Sequence, residues 1–209
     1  MGKNINTDLP VIDVQKCAGK VVLVRVDFNV PFFNGMIQDR GRLLAVAPTL
    51  KALVGVGAKV VLLSHLGRPQ GVDPKLSLKL LMDPLREIYG SQLTFVEGDP
   101  KVAIQNLQQG HMLLLENLRF DSREESNDPF FAQHLASLGD IYVNDAFAVS
   151  HRAHASVEGI THFLPSFAGY LLRDEVCGIG AALNGAQKPV MGVLGGSKIS
   201  TKLKLVKSL

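Results

Sequence analysis

A chain of 209 residues that is 46% hydrophobic and 20% charged carries enough apolar material for one large core, or for one domain with part of a second. Its formal net charge of +3, without a block of consecutive Lys and Arg and without Trp, excludes a nucleic-acid arm and an aromatic platform for single strands. The start, Met1 to Asp8, has no apolar core of a signal peptide, no apolar run reaches bilayer length, and Cys17 and Cys177 lie far apart without CxxC spacing. The expected address is therefore the cytoplasm, with free thiols, no membrane and no nucleic acid as partner.

In chain order, Val21 to Val26 reads as a strand buried on both faces and breaks off into Asp27-Phe28-Asn29-Val30-Pro31. Leu43 to Val54 keeps helical spacing, with Pro48 as a break or kink, and ends near Gly55-Val56-Gly57. Val60 to Leu63 is a second strand and runs into Ser64-His65-Leu66-Gly67-Arg68-Pro69. From Leu76 to Tyr89, Leu78, Leu81, Leu85 and Ile88 form one helical stripe; Ser77 is its cap, Pro84 a bend and Gly90 its stop. Leu93 to Val96 and Met112 to Leu115 are further strands, the latter followed by Glu116-Asn117-Leu118-Arg119-Phe120. Asp128 before Pro129 is an N-cap with Pro at the first helical position, predicting a helix to Leu138 that Gly139 ends. Ile141 to Val143 then runs into Asn144-Asp145-Ala146-Phe147.

From Pro165 the pattern changes. Leu171, Leu172, Val176, Ile179 and Leu183 mark a helix that ends near Asn184-Gly185. Lys188-Pro189 opens a strand at Val190 to Leu194, followed by Gly195-Gly196-Ser197-Lys198 and a helical start from Ile199. Strands alternating with helices predict an α/β fold: a doubly wound, Rossmann-like parallel sheet of six strands with helices on both faces. The expected organisation is a domain over 1–165, an interdomain helix over 166–187, and over 188–209 the first βα unit of a second α/β domain. A strand and part of a helix cannot bury their own apolar faces, so the end reads as a truncation.

In an open parallel sheet, ligands bind beyond the carboxyl ends of the strands. Arg68, Arg119 and Arg152 lie on three such strand-end loops, Arg42 opens the first helix, and His65 and His151 stand beside two of them. Guanidinium forks match phosphate or carboxylate oxygens two at a time, so the expected ligand is a small anion. Alternation along a strand would point Arg25, Asp27 and Asn29 the same way. Asp27 and Asn29 would accept from a substrate hydroxyl with Arg25 orienting the acid, or would simply close the strand in an Asx turn. Gly195-Gly196-Ser197-Lys198 has the strand–Gly–helix mechanics of an anion site without matching a Walker A loop, and Lys198 and Lys202 share a helix face. His151-Arg152-Ala153-His154 has no partners at ligand spacing, so no protein-held metal is expected.

Taken together, Arg25-Val-Asp-Phe-Asn-Val-Pro31, Ser64-His-Leu-Gly-Arg-Pro69, Leu115-Glu-Asn-Leu-Arg-Phe120, Val143-Asn-Asp-Ala-Phe147 with His151-Arg-Ala-His154, and Gly195-Gly-Ser-Lys198 resemble phosphoglycerate kinases in order and spacing. The resemblance runs from about Val11 to the end and covers the amino-terminal half of that family. It implies reversible phosphoryl transfer from 1,3-bisphosphoglycerate to ADP, giving 3-phosphoglycerate and ATP in glycolysis, by a monomer. It implies that Asp27, Phe28, Asn29, Arg42, His65, Leu66, Gly67, Arg68, Arg119 and Arg152 hold the phosphoglycerate. Arg42 would meet the phosphoryl group in flight, and Lys198 would lie near it as the second catalytic residue. Gly195, Gly196, Lys198 and Lys202 would hold the nucleotide. Mg2+ would arrive with ATP or ADP, its ligands lying beyond Leu209 with the rest of the nucleotide domain. Ala148 and Val149 depart from the Gly and the small or hydroxyl residue common there. The chain alone is expected to bind substrate without turnover; the alternative is a non-catalytic α/β module for phosphorylated metabolites.

Overall fold

Val21–Arg25 (β1) is apolar except at its last residue, and its alternate side chains enter two different cores. Val22 and Val24 face one side and Leu23 the other, all fully buried. That is the pattern of a central strand with both faces covered. The computed structural model describes residues 8–33, 36–184 and 191. Beyond β1 its strands are Phe32–Phe33 (β2), Met36–Ile37 (β3), Lys59–Leu63 (β4), Leu93–Phe95 (β5), Met112–Leu114 (β6), Ile141–Asn144 (β7) and Ser166–Ala168 (β8). β2 and β3 form a small antiparallel pair of their own. The other six make one sheet in the order β5-β6-β4-β1-β7-β8, parallel throughout.

Helices cover both faces, as expected. Gly41–Ala45 (α1), Ala47–Gly55 (α2) and Met82–Tyr89 (α3) place Leu43, Leu50, Leu53 and Leu85 on the core that Val22, Val24, Val60 and Leu62 supply. Pro100–Gln105 (α4) and Pro129–Ala136 (α5) bring Ile104, Phe131 and Leu135 to Leu23, Val61 and Leu113 on the opposite face. The expected helix over Leu43 to Val54 is two helices, which meet at Val46, with Pro48 in the first turn of the second. A proline is tolerated there because that N–H has no intrahelical acceptor. The stripe from Leu76 is likewise broken: 3-10 turns at Pro74–Leu76 and Leu78–Leu81 precede α3, so Pro84 falls in the first turn of α3 and bends nothing. Ser77 caps, but caps the second 3-10 turn, by accepting from the Lys79 N–H at 3.2 Å. Asp128 caps α5 as read, accepting from the Phe131 N–H at 2.8 Å.

One expectation is corrected. The sheet does not stop at 165: Ser166–Ala168, assigned above to the interdomain helix, is the outer strand β8, paired with β7. Pro10 to Ile12 closes its other edge, the Ala168 N–H donating to the Pro10 carbonyl at 2.8 Å. The helix itself, Tyr170–Asn184 (α6), begins after it. The expected strand at Val190 to Leu194 and the helical start from Ile199 lie outside the described residues, Met191 excepted.

From β1 the chain first builds to one side (β4, β5, β6) and then crosses to the other for β7 and β8. The direction of winding therefore reverses between β1 and β7. Beyond that point the loops of the two halves separate, and a crevice opens.

Candidate functional site

A cavity of about 300 Å3 occupies that crevice, lined by Asp27 from the β1 loop, Arg42 from α1, Asp145 and Phe147 from the β7 loop, and Glu175 from α6. Of the two readings of Asp27, the turn is present, and the other carboxylate oxygen is engaged by Arg42. Its Oδ1 accepts from the Asn29 N–H at 3.1 Å, closing the Asx turn, while Oδ2 pairs with Arg42 Nη1 at 2.6 Å. Arg42 also donates to the Asn29 carbonyl at 3.1 Å and remains 48% exposed, so its guanidinium is oriented at one end and open at the other.

Asn29 joins this corner to the next loop. Its Oδ1 accepts from the Gly67 N–H at 2.8 Å, and the Gly67 carbonyl accepts from Arg119 Nη1 at 2.8 Å. Gly67 sits at φ +66, where a Cβ would lie 2.8 Å from Leu76; only glycine fits that backbone without strain. Asn117, buried after β6, ties the two loops together by donating to the carbonyls of Leu66 and Leu76, both at 2.8 Å. Its Oδ1 accepts from the Arg119 N–H at 3.1 Å. Arg119 is only 4% exposed at its side chain, with Nη2 3.0 Å from Glu125 Oε1. That approach lacks the alignment of a hydrogen bond, and neither Nε nor Nη2 has a hydrogen-bond partner. Burial lowers its pKa, with the Glu125 charge opposing. A guanidinium held in place with Nε and Nη2 lacking hydrogen bonds has the chemistry to pair with an anion, as Nη2 already does with the Glu125 carboxylate.

Arg25 departs from expectation. It does not accompany Asp27 and Asn29 outward; it is 1% exposed and turns into the protein. Nε donates to Ser156 Oγ at 2.9 Å, Nη1 to the Val26 carbonyl at 2.6 Å, and Nη2 meets His65 Nδ1 at 3.1 Å. Among the described residues no carboxylate touches it; Glu124, wholly buried, is one hydroxyl away through Ser156. His65 is likewise enclosed, and burial first, then the charges of Arg25, Arg119 and Arg152, push its pKa down to about 2.

Of the other expected residues, Arg68 is exposed and Arg152 partly so, its Nε 3.3 Å from His151 Nε2. The side chains of Phe28 and Leu66 belong to the core, so those two positions can offer a ligand only backbone. Gly195, Gly196, Lys198 and Lys202 lie outside the described residues. Sequence reasoning missed Asn117, Glu124, Ser156 and Asp145. Asp145 Oδ1 accepts from the Leu172 N–H at 3.1 Å and Oδ2 has no partner. Burial raises its pKa, against the pull of the hydrogen bond from Thr49. Among the described residues no cluster of three or more His, Cys, Asp or Glu is placed to hold a metal.

The sequence matches the family model of phosphoglycerate kinase over residues 11–209. The chain belongs to the phosphoglycerate kinase family. It is 50% identical over 208 residues to phosphoglycerate kinase of Maricaulis maris, covering 97% of this chain and 52% of that protein. With the enzyme of Rhodospirillum centenum the identity is 51% over 200 residues, covering 93% and 50%. Among solved structures, phosphoglycerate kinase of Coxiella burnetii superposes with a TM-score of 0.84 at 34% identity, covering 96% of this chain and 51% of that one. The chain spans about half the length of the relatives it matches.

Proposed function

We propose that this chain forms the phosphoglycerate-binding half of a phosphoglycerate kinase, which passes the 1-phosphoryl group of 1,3-bisphosphoglycerate to ADP and reverses the step. Arg119 is the observation that carries the reading: its guanidinium is buried, fixed through Nη1 to Gly67, and has Nε and Nη2 without hydrogen-bond partners. Residues 8–168 would be the phosphoglycerate domain, α6 the connection onward, and 188–209 the start of the nucleotide domain. Together with Arg68, Arg152 and His65, Arg119 would take the phosphate of 3-phosphoglycerate. Asp27 and Asn29 would accept from its hydroxyl.

Transfer between two oxygens in line asks little covalent chemistry of the protein; it asks for positioning and for neutralising charge as the phosphoryl group moves. Arg42 suits that task on this side, since Asp27 and Asn29 hold Nη1 of its guanidinium while half of the side chain stays open. Lys198, with Gly195, Gly196 and Lys202, would meet the same group and the nucleotide phosphates from the other side. Mg2+ enters as part of the nucleotide substrate. A monomer in the cytoplasm fits this role.

The test uses the 209-residue chain. Calorimetry should show saturable binding of 3-phosphoglycerate, competed by sulfate, while a coupled assay for ATP formation shows no sustained turnover. Absence of binding, or turnover at rates typical of complete kinases, overturns the proposal.

A further inference from the structure

Arg25, Ser156 and Glu124 form a buried chain that the binding role above leaves unused. Every link has one polarity. Glu124 is 0% exposed and accepts twice from Ser156, Oε1 from the hydroxyl at 2.6 Å and Oε2 from the N–H at 3.0 Å. With its proton committed to Glu124, Ser156 Oγ must accept from Arg25 Nε, at 2.9 Å. Tyr142 fixes the serine backbone from the far side, its hydroxyl donating to the Ser156 carbonyl at 2.7 Å. Nη1 is held by the carbonyls of Val26 at 2.6 Å and Leu63 at 3.4 Å. The guanidinium therefore has no freedom to turn, and Nη2 is aimed at His65 Nδ1, 3.1 Å away.

A guanidinium has donors only. His65 Nδ1 must accept, and the ring proton must reside on Nε2. We propose that Arg25, held by Ser156 and Glu124, is a positioning residue that fixes His65 as the neutral, Nε2-protonated tautomer, a single directed donor beneath the anion site. The charges facing His65 agree: Arg25, Arg119, Arg152 and His154 all oppose a second ring proton. Glu124, the carboxylate that ends this run of hydrogen bonds, is already spent on Ser156 and lies 3.8 Å from His154 Nδ1. The arrangement also accounts for a charged group placed where no carboxylate touches it. Burying a guanidinium costs several kcal/mol, and here it is set to orient the histidine and to keep positive potential under the loop of Arg119. That His65 then donates to a substrate phosphate rests on the phosphoglycerate reading; the tautomer does not.

Long-range proton–nitrogen correlation spectra of the ligand-free chain, with His65 assigned through His65→Gln, read the tautomer directly. The expected spectrum has one protonated ring nitrogen, Nε2, and no titration as pH falls through the ordinary histidine range. A proton on Nδ1, or titration near the ordinary value of 6.5, overturns the proposal on the wild-type protein alone. Arg25→Lys keeps the charge and loses the fork; it should give a mixture of tautomers and weaken 3-phosphoglycerate binding by roughly tenfold. Should that variant not fold, Ser156→Ala, which removes the acceptor of Nε, should shift the tautomer ratio. A His65 still wholly Nε2-protonated in a folded variant of either kind overturns the role of Arg25. A locked tautomer in a chain that binds no 3-phosphoglycerate removes the phosphoglycerate reading and leaves this one standing.

Discussion

Arg25 and Arg42 serve the same end of the same sheet under opposite conditions. Arg25 is 1% exposed, bonded on three nitrogens, and touches no carboxylate. Arg42 is 48% exposed, bonded through one nitrogen, and sits 2.6 Å from Asp27. In the interior the Coulomb interaction is strong and the loss of water expensive, so each donor left unplaced on a buried charge is costly. Near the surface the pair is screened and gains little, which leaves the guanidinium free to change partners. Arg119 lies between the two: buried like Arg25, yet with Nε and Nη2 lacking hydrogen bonds and Nη2 beside the half-exposed Glu125. The gradient from fixed to free side chains runs from the floor of the site to its rim.

The comparison breaks most visibly at Glu124. Glu124→Ala removes the buried counter-charge that reaches Arg25 through Ser156 and leaves the Ser156 hydroxyl and N–H without their acceptor; it should cost about 3–5 kcal/mol of stability in denaturant unfolding, and a loss below ~1 kcal/mol would mean that the interior is wetter than its packing suggests. Next comes Arg119→Ala, expected to weaken 3-phosphoglycerate binding by about 1.5–3 kcal/mol in calorimetry while the fold survives. An unchanged affinity would take Arg119 out of the anion site. Acid should also separate floor from rim. His65 has a folded pKa below its unfolded value of 6.5, so the unfolded state binds the proton first. Stability is then lost as pH falls below 6.5, toward about 2, by about 1.4 kcal/mol for each pH unit. His65→Gln should flatten that slope in chemical unfolding measured at a series of pH values. Smallest of all is Arg42→Ala, whose effect on stability should stay within ~0.5 kcal/mol; a larger change would place Arg42 among the structural arginines.

Much of the frame could be read from residue order. Val22 to Val24, Val60 to Leu63 and Met112 to Leu114 are apolar on both faces because both faces are covered, and that leaves an unmistakable pattern. β8 left none: three residues long, it buries only Ala168, and its place is set by β7 and by Pro10 to Ile12. Pro48 and Pro84 were legible as interruptions, but whether a proline breaks a helix or starts one depends on where the neighbouring turn begins. At the site, the strand-end phrases brought Asp27, Asn29 and Arg119 to linked loops, and the opening of the first helix brought Arg42 beside Asp27. The same phrases misdirected Arg25, since alternation holds only while the strand lasts, and β1 ends there. Its partner Ser156 stands 131 residues further along, and no local pattern announces a hydrogen bond across that separation. Glu124 and Asn117 are silent for the same reason: each acts through groups that only the folded chain brings near.

Asp145 and Gly169 give α6 an unusual root. The N–H of Gly169 donates to the Asn144 carbonyl at 2.8 Å, that of Leu172 to Asp145 at 3.1 Å, and that of Tyr170 to Thr49 Oγ1 at 3.0 Å. A Cβ on Gly169 would fall 2.2 Å from the Asp145 carboxylate, so the joint tolerates no bulk. A helix of 15 residues reaches about 22 Å from that joint. A tilt of roughly 10° at its foot would carry Asn184 by ~4 Å along an arc. The wall of the cavity and the base of this lever are thus the same few atoms, and whatever presses on Asp145 is magnified at the far end.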